Sequence, residues 1–222
     1  MVLFAIGAVP ILLFILLSIA GVIIESKEGL FRFLRGIILA IPAILIYMFV
    51  KDLLSASYYG MGLYIREGLV SLGFPLTILA LYLLFLSKKW GIGKVRYLQS
   101  LWFSAGYLWA FSLIELLLNI RWLGAYYLFV HPVVLSVSLF FIPRLAYDCD
   151  FLIKNIKHRR LAFLSMLAGY IILSSIISYL ALSNYHIETF IYMPVWAILS
   201  ILLTIKGPDL INRILYKNHK RE

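Results

Sequence analysis

The sequence predicts an all-α integral membrane protein, a seven-helix transmembrane bundle with short loops and amphipathic interfacial segments. Three observations carry that expectation. Apolar residues make up 64% of the 222 residues and charged residues only 14%, with a mean hydropathy of +0.99; soluble domains run at roughly 45–50% and about 25%. The apolar residues gather into seven runs of roughly twenty, the length that crosses a hydrocarbon core about 30 Å thick. The 20 Lys and Arg fall almost entirely in alternate gaps between those runs.

The first span is Val2–Ile24. It has no basic leading region and no small-residue cleavage site, so a retained helix is expected rather than a signal peptide. Glu25–Gly36 follows as a loop with an amphipathic end: Phe31, Phe33 and Leu34 suit the interface while Arg32 and Arg35 reach headgroups. The second span is Ile37–Leu54, with Pro42 inside it and Lys51 expected to snorkel from its far end. Ser55–Glu67 is an interfacial segment rich in Tyr and Gly, and Gly68–Leu86, containing Pro75, is the third span. The basic loop Ser87–Tyr97 leads to the fourth span, Leu98–Leu118, and the fifth, Leu123–Ile142. Pro143–Arg160 reads as the longest loop, and Leu161–Leu182 and Thr189–Ile205 as the last two spans. Ser174, Ser178 and Ala181 give the sixth span a small-residue packing face. Residues 1–205 thus form the transmembrane domain and 206–222 a basic tail. In the tail, Pro208 and Asp209 start a helix whose Leu210, Ile211, Ile214 and Leu215 make a membrane-facing stripe.

Orientation follows from charge. The gaps after the first, third and fifth spans hold three, four and five Lys or Arg, and the tail holds five; only Lys51, Arg66 and Arg121 fall on the opposite side. Basic residues concentrate on the cytoplasmic side of membrane proteins, so the tail is expected inside and the N-terminus outside, in the cell membrane. The net charge of +10 then serves contact with the anionic headgroups of the inner leaflet, not nucleic acid. Further membrane subunits are the other partners this surface suits. One cysteine, Cys149, excludes an internal disulfide.

The stretch with chemistry in it is the hairpin of the fourth and fifth spans. Ser104, Leu108, Ser112, Glu115 and Asn119 fall on one face at helical spacing. An ionisable group at that depth is costly and turns to protein or water, which marks a candidate site. His131 lies near mid-membrane on the next span, and the tilt of helical side chains toward their own N-termini brings it and Glu115 toward one depth. The candidate substrate-binding residues are therefore Glu115, Asn119, His131 and Arg121. A purely structural reading stands beside this one: Glu115 paired with Arg121 or Asn119, and His131 bonded to a carbonyl freed by Pro132. Prolines in the outer halves of the odd-numbered spans could kink them into an outward-facing vestibule, although proline is common in membrane helices anyway.

Other motifs are weaker. Asp148-Cys149-Asp150 has the spacing of a cation-binding carboxylate pair, but a solvated loop offset by Lys154, Lys157, Arg159 and Arg160 explains it as well. His186 and Glu188 lack the further ligands of a metal site. No Gly-rich phosphate loop and no GxSxG elbow occurs. No cofactor and no metal is expected. The best functional expectation is a small permease, or a membrane subunit of a transport complex, with an outer-half polar cavity. The alternatives are a membrane-embedded enzyme acting on a lipid or lipid-linked substrate, with Glu115 or His131 as general base, and a non-catalytic membrane scaffold or assembly factor.

Overall fold

The computed structural model describes residues 27–53, 60–86, 90, 94–118, 130–153, 155–183, 185–200 and 202. Six helices and no strand occur among them. Helix α1 is Lys27–Leu53. Helix α2 is composite: Gly60–Leu63, the π-helical stretch Tyr64–Gly73 and Phe74–Leu86 run on without a break. Helix α3 is Lys94–Leu118, α4 is His131–Leu152, α5 is Ile156–Leu182 and α6 covers 186–200. The expected first span, Val2–Ile24, and the basic tail from 206 to 222 lie outside the described residues.

Glu28–Lys51, Leu69–Leu86 and Ile156–Leu182 are long and apolar enough to cross a membrane. Large apolar side chains such as Phe31, Ile38, Leu45, Phe49, Phe85 and Phe190 are exposed on the outside of the bundle. So large an apolar exterior is untenable in water and suits a lipid solvent.

Several helices outrun the apolar stretches that announce them. The expected second span is helical from Lys27, ten residues before Ile37, so residues 27–36 of the segment expected as a loop with an amphipathic end open one continuous helix. Glu28 in its first turn favours that start. The segment expected as the longest loop, Pro143–Arg160, is mostly helical: α4 continues to Leu152 and α5 begins at Ile156. Arg144 and Asp148 pair one turn apart (Nε to Oδ2, 2.8 Å), which supports the helix past the apolar run. The Asn155 side chain then accepts from the Lys157 backbone N–H at 2.9 Å and caps α5. Hydropathy marks where a chain meets hydrocarbon, and a helix has no reason to stop there.

The direction of each helix follows from its partners. Helices α1 and α3 are parallel, since contacts rise together along both, from Glu28 with Gln99 to Tyr47 with Phe111. Three further pairs, α1–α2, α4–α5 and α2–α5, run antiparallel: Tyr47 meets Ser71 while Leu39 meets Tyr82, Ser138 meets Tyr170 while Asp150 meets Arg159, and Tyr64 meets Tyr179 while Gly73 meets Ile171. Lys27, Arg32, Arg35, Lys94, Arg96, Arg144, Lys157, Arg159 and Arg160 consequently share one end of the bundle, and Lys51 lies toward the other.

At the α1–α3 crossing the two backbones come into contact. A β-carbon on Gly36 would run into the carbonyl oxygen of Phe103, and one on Gly106 into that of Phe33. Glycine at both positions lets the two backbones touch, the contact by which helices associate when lipid offers no hydrophobic drive. On α5, Ser174 and Ser178 are fully buried, as the small-residue face predicts. Ser174 Oγ donates to the Tyr170 carbonyl at 2.8 Å and accepts from Trp196 Nε1 of α6 at 3.1 Å. Gly169, also on α5, has nothing within 4 Å of where a β-carbon would stand and takes no part in that face.

Candidate functional site, a buried lysine–glutamate pair

The stripe expected on the fourth span is buried in the structure: Ser104, Leu108, Ser112 and Glu115 all face protein on α3. Glu115 is only 1% exposed. Its Oε1 receives Lys51 Nζ at 3.0 Å and the Tyr47 hydroxyl at 2.9 Å, both from α1. The Tyr47 oxygen lies 2.9 Å from Ser71 Oγ. Tyr47 has one proton and gives it to the carboxylate, so Ser71 donates to Tyr47. The result is a chain Lys51–Glu115–Tyr47–Ser71 joining three helices.

Each member is placed by its helix. Ala40, Ala43, Ile44, Tyr47 and Lys51 stand at i, i+3, i+4, i+7 and i+11, one face of a helix, so Lys51 continues the buried face of α1. Its side chain is 12% exposed. The expected snorkelling does not occur: the parallel α1–α3 pairing brings Glu115 within reach, and the ammonium turns to it. The ammonium also sits 5.5 Å from the centroid of the Tyr47 ring. That ring is held edge-on by Phe111 at 5.0 Å and at a tilt by Phe74 at 6.2 Å. Ser71 belongs to the π-helical stretch. Pro75 follows four residues later, and its ring would clash with the Ser71 carbonyl in a regular α-turn; a wider turn relieves the clash.

Sequence reasoning singled out Glu115 but missed Tyr47 and Ser71. A signal was present: a Lys one turn after a Tyr, on the face that also carries Gly36, Ala40 and Ala43. Of the other expected site residues, His131 opens α4 with Pro132 in the first turn and is 2% exposed. Asn119 and Arg121 lie outside the described residues.

At the basic end, the Asp148–Asp150 motif sits on the last turns of α4, not in a loop. Asp150 is shared by Arg96 of α3 and Arg159 of α5, whose Nη1 donates to Oδ1 at 2.7 Å. Asp148 is held by Arg144. Guanidinium groups thus take the places a cation would need. Burial raises the Asp148 pKa against the opposing pull of Arg144. Between the two carboxylates Cys149 is buried, and desolvation, with both aspartates adding, pushes its thiol up to about 12. At pH 8 the thiolate fraction is then about a thousandfold below that of a free cysteine. Maleimide labelling of the folded protein at pH 8 is expected to be slower than of the denatured chain by a factor on the order of a thousand. Comparable rates would place Cys149 in water and overturn this packing.

No known family matches this chain. No curated protein and no solved structure matches it either. Function has to be read from the site.

Proposed function

We propose that this is a multi-pass membrane protein of the transport class, a small permease or the membrane subunit of a transport complex, whose working group is the Lys51–Glu115 pair. The supporting observation is the pair itself: opposite charges buried between two parallel helices and wired through Tyr47 to a π-helical turn. Ionisable groups inside membrane helices are expensive and mark ion or proton pathways by default, and π-turns recur at functional positions. Protonation of Glu115 removes the charge that holds Lys51, and a cation arriving at the carboxylate competes with it. Either event biases α1 against α3, which is the two-state element a transporter needs. Asn119, Arg121 and His131 remain the further polar residues of the proposed site in this reading. The orientation that goes with it is N-terminus outside and C-terminus cytoplasmic, with the basic end on anionic inner-leaflet headgroups.

The test is a solid-supported-membrane current recorded from proteoliposomes of the full chain, challenged in turn with a proton jump, monovalent cations and small organic cations. A current from the native protein that disappears in the Lys51→Met/Glu115→Gln double variant, while that variant remains folded, is the expected result. Silence across the panel, or a current indifferent to the double variant, overturns the transport reading of the pair.

A further inference from the structure

A second feature lies at the opposite, basic end. The C-terminal end of α2, the start of α3, the end of α4 and the start of α5 enclose a cavity of about 630 Å³. That is within the range of about 300–1,000 Å³ typical of small-ligand sites. Arg96, Arg159 and Arg160 line it against a single carboxylate, Asp150. Asp150 pins the guanidinium groups of Arg96 and Arg159 in place, and the excess positive charge remains. Arg160 is exposed. Apart from Ser100 and the tyrosines Tyr97 and Tyr147, the rest of the wall is apolar, including Leu81, Leu84 and Leu164.

Cations at one edge and an apolar wall beyond them select an amphiphile with an anionic head. Arginine binds phosphate oxygens in a fork geometry, and basic pockets between membrane helices hold anionic lipid headgroups. We infer that this cavity is a specific site for an anionic phospholipid, its phosphate between Arg96, Arg159 and Arg160 and its upper acyl chain along Leu81, Leu84 and Leu164. The lower chain stays in the surrounding bilayer. This differs from general attraction of a basic surface to a membrane, because the ligand enters between helices. It does not depend on the reading of Lys51 and Glu115.

Native mass spectrometry of the full chain, released from detergent after addition of phosphatidylglycerol or phosphatidylcholine, tests it. The expected result is about tenfold greater retention of phosphatidylglycerol, reduced about fivefold by Arg160→Gln, the loss of one charge-assisted contact. Lys157→Gln removes an equal charge from an exposed neighbour that does not line the cavity and is expected to change nothing. Leu164→Trp is expected to lower retention with the charge intact, while lipid-free melting stays within the range of the native protein. Equal retention of both lipids overturns the site, as does equal loss in Arg160→Gln and Lys157→Gln, which would mean surface attraction only. Displacement of the lipid by an equal concentration of glycerophosphoglycerol also overturns it, since the site would then be one for a soluble phosphate.

Discussion

Glu115→Gln and Lys51→Met, made singly, are each expected to destabilise the folded protein by about 3–5 kcal/mol, and the double variant by less than about 1.5 kcal/mol. Each single change leaves one buried charge facing a neutral partner at the 3.0 Å contact. Removing both charges leaves neither the penalty nor the attraction. The Gln carbonyl still accepts the Tyr47 hydroxyl, so the aromatic packing around Phe111 and Phe74 keeps its anchor. Reversible unfolding in bicelles, run as a double-mutant cycle, measures the coupling. Additive losses in the two single variants would show that the charges act independently. That outcome would remove the basis for treating them as one switchable unit.

The second large effect is expected at the α1–α3 crossing. Gly36→Leu and Gly106→Leu each drive a side chain into a backbone carbonyl, of Phe103 and Phe33 respectively. A flexible side chain can move aside, but a carbonyl held in a helix cannot, so the helices must part. Overpacking of a yielding core costs about 1–3 kcal/mol; with no room to yield, the upper end of that range or beyond is expected. Parting the helices also stretches the Lys51–Glu115 contact farther along the same interface, so the crossing and the pair should couple. Gly169→Leu provides the control. Open space lies where its β-carbon would stand, and its effect is expected within about 0.5 kcal/mol. Leucine favours a helix more than glycine does, so equal losses at Gly36, Gly106 and Gly169 would mean that added side-chain bulk anywhere on these helices, not the backbone contact, sets these values.

The apolar runs of this chain were sufficient for its class, because nothing but lipid solvates 64% apolar residues arranged in lengths of about twenty. Helical spacing likewise told which face of α3 is inside: Ser104, Leu108, Ser112 and Glu115 recur at three or four residues, and all are buried. Both properties are local, a matter of composition or of period along one element. The partner of Glu115 is not local. Lys51 is 64 residues away, and the nearer candidates Asn119 and Arg121 are a turn or so distant in sequence, so sequence proximity favoured them. What brings Lys51 to Glu115 is the parallel alignment of α1 and α3, and that alignment depends on two glycines, Gly36 and Gly106, meeting backbone to backbone. The same holds at the basic end, where Asp148 and Asp150 have the spacing of a loop motif but α4 continues through them, and the packing of α3, α4 and α5 brings Arg96 and Arg159 to one carboxylate. Period and hydropathy determine the inside of each helix in this protein; which insides face each other is decided only when the helices pack.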